Sequence, residues 1–329
     1  AYGDQCEKCG SALSPEQLIG PRSTLSDAVP VKKKTTHWYF PLQDYEAFLR
    51  QWVLEDHQDW KNNVYGQCKS WLDNGLQPRA MTRDSNWGVK VPVEGAEGKV
   101  LYVWFDAPIG YISATKVLTP EWEKYWCHED TKLVHFIGKD NVPFHAVIFP
   151  AMLLGQGDYV LADNVVGNEY LNIFNRQTGK SEKGSKSRGN MISVRWALEH
   201  FSTDAIRYYL CAIAPESKDA DFDWDDFMNR YNGELCDVVG NFVHRSLTMT
   251  VKNFDGKVPP PGALDADDEA MLAAIAEQTA LAAEALENFR FRQGIERVIE
   301  LGRKANVYFD AKAPWVTRKT DLARTGTTL

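Results

Sequence analysis

Lys183-Gly184-Ser185-Lys186-Ser187-Arg188-Gly189 gathers cations and hydroxyls on one short run bracketed by glycine. Such a loop can surround a polyphosphate, its ammoniums offsetting the charge that builds on a leaving pyrophosphate. A solvated basic loop has the same composition, so the run alone leaves both readings open. Tyr102-Val103-Trp104-Phe105-Asp106-Ala107-Pro108-Ile109-Gly110-Tyr111 is the second run. An indole face beside a phenol suits a thioether, which is polarizable and packs well on aromatics. The Tyr111 hydroxyl can offer the sulfur a weak hydrogen bond that an alkyl chain could not use. Ordinary core aromatics would read the same way. Gly138-Lys139-Asp140-Asn141-Val142-Pro143-Phe144-His145 is the third, with His145 equally readable as a hydrogen-bonded core residue. Farther on, Glu234, Asp237, Asn241, Arg245 and Thr248 fall on one helical face opposite Leu235, Val239 and Phe242. Ala313-Pro314-Trp315 follows a later helical stretch. On the pattern alone, a solvated helical face is the usual explanation.

These runs need elements to hold them. Tyr45, Phe48, Leu49, Trp52 and Val53, then Val64, Cys68, Trp71 and Leu72, recur at helical spacing over 44–74, and Asn74-Gly75 ends the second helix. Val100 to Phe105 and Leu133 to Ile137 read as buried strands ending at Asp106 and at Gly138-Lys139-Asp140. A helix over Phe144 to Leu154 and a strand within Val160 to Leu171 complete a βαβ pattern. Ligands of such sheets bind beyond the carboxyl ends of the strands, which is where Asp106 and Asp140 would stand. Residues 174–190 read as a mobile polar loop. Helices are expected at 194–200, 203–213, 226–251, 265–288 and 290–311, with Pro259-Pro260-Pro261-Gly262 as a breaker. The tail after Trp315 has little pattern. The fold class is therefore α/β followed by all-α.

Composition removes several classes. At 329 residues, 44% hydrophobic and 25% charged, the chain is an ordinary globular one of two or three domains. A net charge of −8 argues against a generic nucleic-acid coat but permits a local basic face. The stretch from Asn141 to Gly157 falls short of the roughly 20 apolar residues a spanning helix needs, so no membrane role is expected. There is no basic-then-apolar leader, and the expected compartment is the cytoplasm. Cys68, Cys127, Cys211 and Cys236 read as buried reduced thiols.

The Lys183–Gly189 run resembles the Lys-Met-Ser-Lys-Ser signature of class I aminoacyl-tRNA synthetases, with Gly184 in place of Met. The Tyr102–Tyr111 run is similar to the segment that builds the amino-acid pocket in methionyl-tRNA synthetases. The resemblance implies a methionine–tRNA ligase that activates L-methionine with ATP and Mg²⁺ and passes it to tRNA-Met. It implies that Lys183 and Lys186 stabilise phosphate charge, that Gly138, Asp140, Leu171 and Lys186 bind ATP, and that Asp140 accepts from ribose hydroxyls. Trp104, Asp106, Ala107, Pro108, Tyr111 and His145 would form the methionine site, and Asn241, Arg245 and Trp315 would read the CAU anticodon. Cys6 and Cys9 look like half of a zinc knuckle; a structural Zn²⁺ usually takes two such pairs, so the Zn²⁺ site is expected to be incomplete here.

The resemblance also divides the chain. Residues 1–80 would be the remainder of a zinc-knuckle insertion, 81–172 the second half of a split Rossmann-like catalytic domain, 173–227 the signature loop and stem-contact segment, and 228–329 an α-helical anticodon-binding bundle. His-x-Gly-His, the first class I signature, is not in the sequence. The expectation is a C-terminal portion whose missing N-terminal half is a required partner, with a bare sheet edge and no activity alone. A non-catalytic tRNA-binding module is the competing reading. An unrelated doubly wound oxidoreductase is weakened because no Gly-x-Gly-x-x-Gly follows a strand.

Overall fold

The computed structural model describes residues 18–23, 26–184 and 189–329. The chain forms two units, Ala1–Asn168 and Glu169–Leu329.

In the first unit, Val64, Cys68, Trp71 and Leu72 of the Asn62–Asp73 helix are buried, as their spacing demands. They pack with Leu49 and Val53 from the preceding helical turns and with Val142, Ala146, Val147 and Val165. Leu133–Gly138 pairs in parallel with Ala162–Asn168. Between them a helix runs from Phe144–Ile148, wound as a π-turn, into Phe149–Gln156, and Gly157 ends it at φ 99°. The βαβ reading thus holds. Helix and strand approach closely at Gly167, where a Cβ would stand 2.8 Å from Val64 Cγ2.

The reading of Val100 to Phe105 as one buried strand does not hold. Only Lys99–Leu101 is a strand, antiparallel to Thr82–Asp84. Tyr102 then turns the chain into a short helix, Val103–Asp106. Val100 is buried, but Val103 and Trp104 are 60% and 50% exposed, so the second half of the run does not cross a core. Asp106 consequently sits in a helical turn, while Asp140 does follow a parallel strand end. Parallel strands are normally covered on both faces, yet Phe136 on this pair is exposed.

In the second unit, residues 174–190 are not simply a loop. Leu171–Asn175 and Lys180–Glu182 form an antiparallel hairpin, and Ala220–Phe222 adds in parallel. The Asn175 side chain accepts from the backbone of Gln177 and Thr178 at 3.0 and 3.2 Å, and Gly179 supplies φ 66°. That is turn chemistry a polar composition hides. Ser193 and Ser202 cap the helices Val194–His200 and Thr203–Ala212. Trp224–Arg230, Tyr231–Gly240 and Asn241–Asn253 run on as consecutive helical segments, the middle one π-wound. After the proline break come Ala266–Glu287 and Phe291–Lys312. The supposedly patternless tail is helical too, over Pro314–Thr317 and Leu322–Thr328, the latter capped by Asp321.

Cys68 is buried as expected, Cys211 and Cys236 are half-buried, and Cys127 is exposed in the turn ending Glu123–Trp126. Among the described residues no helix is long and apolar enough to cross a membrane.

Candidate functional site

Pro108 starts the Ile109–Leu118 helix and places Tyr111 in its first turn. The Phe144–Ile148 turns place His145 opposite. Between them lies a cavity of about 130 Å³ lined by Trp104, Ala107, Pro108, Tyr111, Asn141, Phe144 and His145. Five of the six expected amino-acid-pocket residues meet here; Asp106 is not among the lining residues. The Trp104 and Phe144 rings are 5.8 Å apart. Asn141 and Phe144 were not anticipated, although the spacing of four sets Asn141 one helical turn from His145.

A hydrogen-bond chain fixes the polar groups. His145 Nδ1 lies 2.9 Å from the Asn141 carbonyl, and Nε2 lies 2.8 Å from the Tyr111 hydroxyl. A carbonyl can only accept, so Nδ1 carries the proton. Burial lowers the His145 pKa, which keeps the ring neutral and leaves Nε2 as an acceptor. Tyr111 therefore donates to His145. Its proton is committed, and the expected donation to a thioether sulfur is not available in this arrangement. What the cavity offers is ring faces.

His135 was overlooked. It is 6% exposed, and its ring stands 5.0 Å from that of His145 at 68°. Burial, and then the neighbouring His145, push its pKa down to about 4. The available signal was a lone histidine inside the apolar run Val134-His135-Phe136. Gly138 closes the adjoining strand and Asp140 lies in the Lys139–Asn141 turn, next in sequence to the lining residue Asn141.

In the second unit, Leu171 begins its strand, and Lys183 Nζ stands 4.4 Å from the centre of the Tyr170 ring. Glu182 accepts from Asn175 at 2.8 Å and from Asn190 at 3.3 Å, which ties the chain on either side of the signature run. Lys186 lies outside the described residues, as do Cys6 and Cys9. Among the described residues no group of three or more His, Cys, Asp or Glu side chains could hold a metal ion.

Arg245 and Trp315, distant in sequence, meet. The guanidinium carbon of Arg245 is 5.1 Å from the Trp315 ring centre and 4.7 Å from that of Phe309, and Nη2 pairs with Asp310 at 2.8 Å. Asn241 is exposed one turn before Arg245. Trp315 is 40% exposed. A cationic plane and an indole held together in this way can stack a base on the exposed outer face of the pair.

Residues 1–247 match the family model described as tRNA synthetases class I (M). A methionine–tRNA ligase of Cytophaga hutchinsonii is 52% identical over 342 residues, which cover 100% of this chain and 49% of that protein. One from Bacteroides fragilis is 53% identical over 332 residues, covering 100% and 48%. The chain thus spans about half the length of the curated relatives it matches. Among solved structures, Mycobacterium tuberculosis methionyl-tRNA synthetase in complex with methionyl-adenylate is similar, with a TM-score of 0.80 and 28% identity over 97% of this chain and 62% of that one. A second structure of that synthetase with methionyl-adenylate has a TM-score of 0.76 and 30% identity, covering 88% and 56%.

Proposed function

Because the chain belongs to the class I (M) tRNA synthetase family, we propose that it supplies the methionine pocket, phosphate-binding lysines and anticodon platform of a methionine–tRNA ligase. The convergence of Trp104, Ala107, Pro108, Tyr111 and His145 on one cavity carries this reading. The activity is proposed for the chain together with the segments its relatives carry beyond it.

The reaction needs no side-chain nucleophile. The methionine carboxylate attacks the α-phosphate of ATP and pyrophosphate leaves, giving methionyl-adenylate; a ribose hydroxyl of tRNA then attacks the acyl carbon and AMP leaves. Catalysis is positioning and charge stabilisation. The thioether lies on the Trp104 and Phe144 rings, and the neutral Tyr111–His145 pair closes the cavity without presenting a charge to it. Asp106 is proposed to orient the α-amino group from outside the cavity lining. Gly138 and Asp140 hold the ribose, Leu171 the adenine, and Lys183 and Lys186 the phosphates. Mg²⁺ supplied with ATP would add to the phosphate-charge stabilisation assigned to Lys183 and Lys186. Asn241, Arg245 and Trp315 bind the CAU anticodon. A zinc-knuckle role for Cys6 and Cys9 stays with the proposal.

Methionine-dependent exchange of labelled pyrophosphate into ATP, measured on the full-length protein carrying this chain, is the test. Exchange is expected with methionine and not with leucine, and Trp104→Ala is expected to raise the methionine KM. Binding of a CAU stem-loop without any exchange would replace the ligase reading with that of a tRNA-binding module. The chain alone is expected to show no exchange until the remaining half is added.

A further inference from the structure

Asp268 stands near the start of the Ala266–Glu287 helix and is only 3% exposed. A buried carboxylate is costly unless donors surround it, and here they do. Arg324 reaches both oxygens through its two terminal nitrogens, Nη1 lying 2.6 Å from Oδ2. The Tyr308 hydroxyl donates to Oδ1 at 2.7 Å, and the Asp265 backbone N–H donates to Oδ2 at 2.9 Å. Lys312 stands 3.9 Å away, bound in turn to Asp265 and Asp267.

These donors come from both sides of Trp315. Tyr308 and Lys312 lie on the helix that leads into it, and Arg324 lies on the helix that follows. Ala313, in between, adopts φ 43°, a backbone state an alanine keeps only when its surroundings impose it. The Thr317 and Thr325 hydroxyls, 2.7 Å apart, tie the same segment together beyond Trp315.

We infer that Asp268 is a positioning residue for the RNA platform: it gathers the chain on both sides of Trp315 and so sets the indole against the Arg245 guanidinium. This rests on the proposed stacking role of Trp315. Asp268 itself touches no RNA, being buried and anionic.

A double-mutant cycle on the affinity for a CAU stem-loop, at fixed salt in the full-length protein, tests it. Asp268→Asn keeps the shape and removes the anion, and should weaken binding about tenfold, within the range of losing one stacked base. In a Trp315→Ala background the same change should add less than about twofold, because its effect passes through the indole. A merely structural role would give additive losses. Should Asp268→Asn fail to fold, Arg324→Lys, which keeps the charge but loses the fork, should show the same non-additivity at smaller amplitude. Additive losses, or wild-type affinity in these variants while Trp315→Ala is impaired, overturn the inference alone. Wild-type affinity in Trp315→Ala overturns the stacking role and the inference with it.

Discussion

The cavity around His145 and the platform around Trp315 each hold aromatic rings against a polar partner, yet the first keeps its partners neutral and the second keeps them charged. In the cavity, burial depresses His135 and His145, and a carbonyl and a hydroxyl satisfy the His145 nitrogens. On the platform, Arg245 is paired with Asp310, and nearby Asp268 is held well below the ordinary carboxylate range, chiefly by the Arg324 hydrogen bonds. The difference follows from the proposed ligands. A thioether gains nothing from a charge it cannot pair, whereas a polyanion rewards one.

The largest expected effect uses pH to break the two regions apart. His135 titrates near 4 when folded and near 6.5 when unfolded. Above pH 6.5 it is neutral in both states and costs nothing. As pH falls below 6.5 the unfolded chain takes up a proton the folded chain refuses, and the loss approaches about 3 kcal/mol near pH 4; His145 acts in the same direction. Asp268 is the opposite case. Its contribution is fully present above the unfolded carboxylate pKa of about 4 and is lost only as pH falls through its lower folded value. Hydrogen exchange should therefore show amides of 133–137 losing protection between pH 7 and 4.5 while those of 268–285 keep theirs. Simultaneous loss in both would contradict the contrast.

Next in size is the signature run, which belongs with the charged side. Lys186→Ala in the full-length protein should slow adenylate formation by roughly 10²-fold, the usual cost of one transition-state charge partner. The methionine KM should hold, since the cavity proposed to bind methionine carries no charge. Single-turnover kinetics at saturating methionine decides this; an unchanged rate removes Lys186 from the mechanism.

The two regions were also unequally legible. The long helices could be read because Val64, Cys68, Trp71 and Leu72 repeat at 3.6 residues and Pro259–Pro261 interrupts. The parallel pair was readable from the apolar run Leu133 to Ile137, which ends at Gly138-Lys139-Asp140, and from a further strand placed within Val160 to Leu171. Val103 and Trp104 misled because exposed apolar side chains on a surface turn read the same as those of a strand crossing a core. The hairpin at 171–182 was hidden because Asn175 makes its turn through side-chain bonds that leave no periodic trace. In the cavity, residue types announced Trp104, Tyr111 and His145, but the direction of the Tyr111 proton depends on the Asn141 carbonyl, a backbone atom. On the platform, Asp268 was invisible, since its partners Tyr308 and Arg324 come from far along the chain.

Trp315→Ala comes next, and it probes the charged side alone. Removing the indole should weaken a CAU stem-loop by about 1–3 kcal/mol, with the methionine KM unmoved. Equal dissociation constants at fixed salt would take Trp315 out of the platform.

The smallest effect is the sharpest on the neutral side. Tyr111→Phe keeps the ring but removes the hydroxyl that donates to His145 Nε2, at a cost of about 1 kcal/mol. A hydrogen bond donated to that lone pair favours the neutral imidazole, so its loss should let the His145 pKa climb back toward its ordinary value. The methionine KM of the variant should then rise as pH falls from 7.5 to 6, whereas that of the parent stays flat over the same interval. Parallel profiles for the two proteins would mean that Tyr111 does not hold His145 neutral, and that burial alone does.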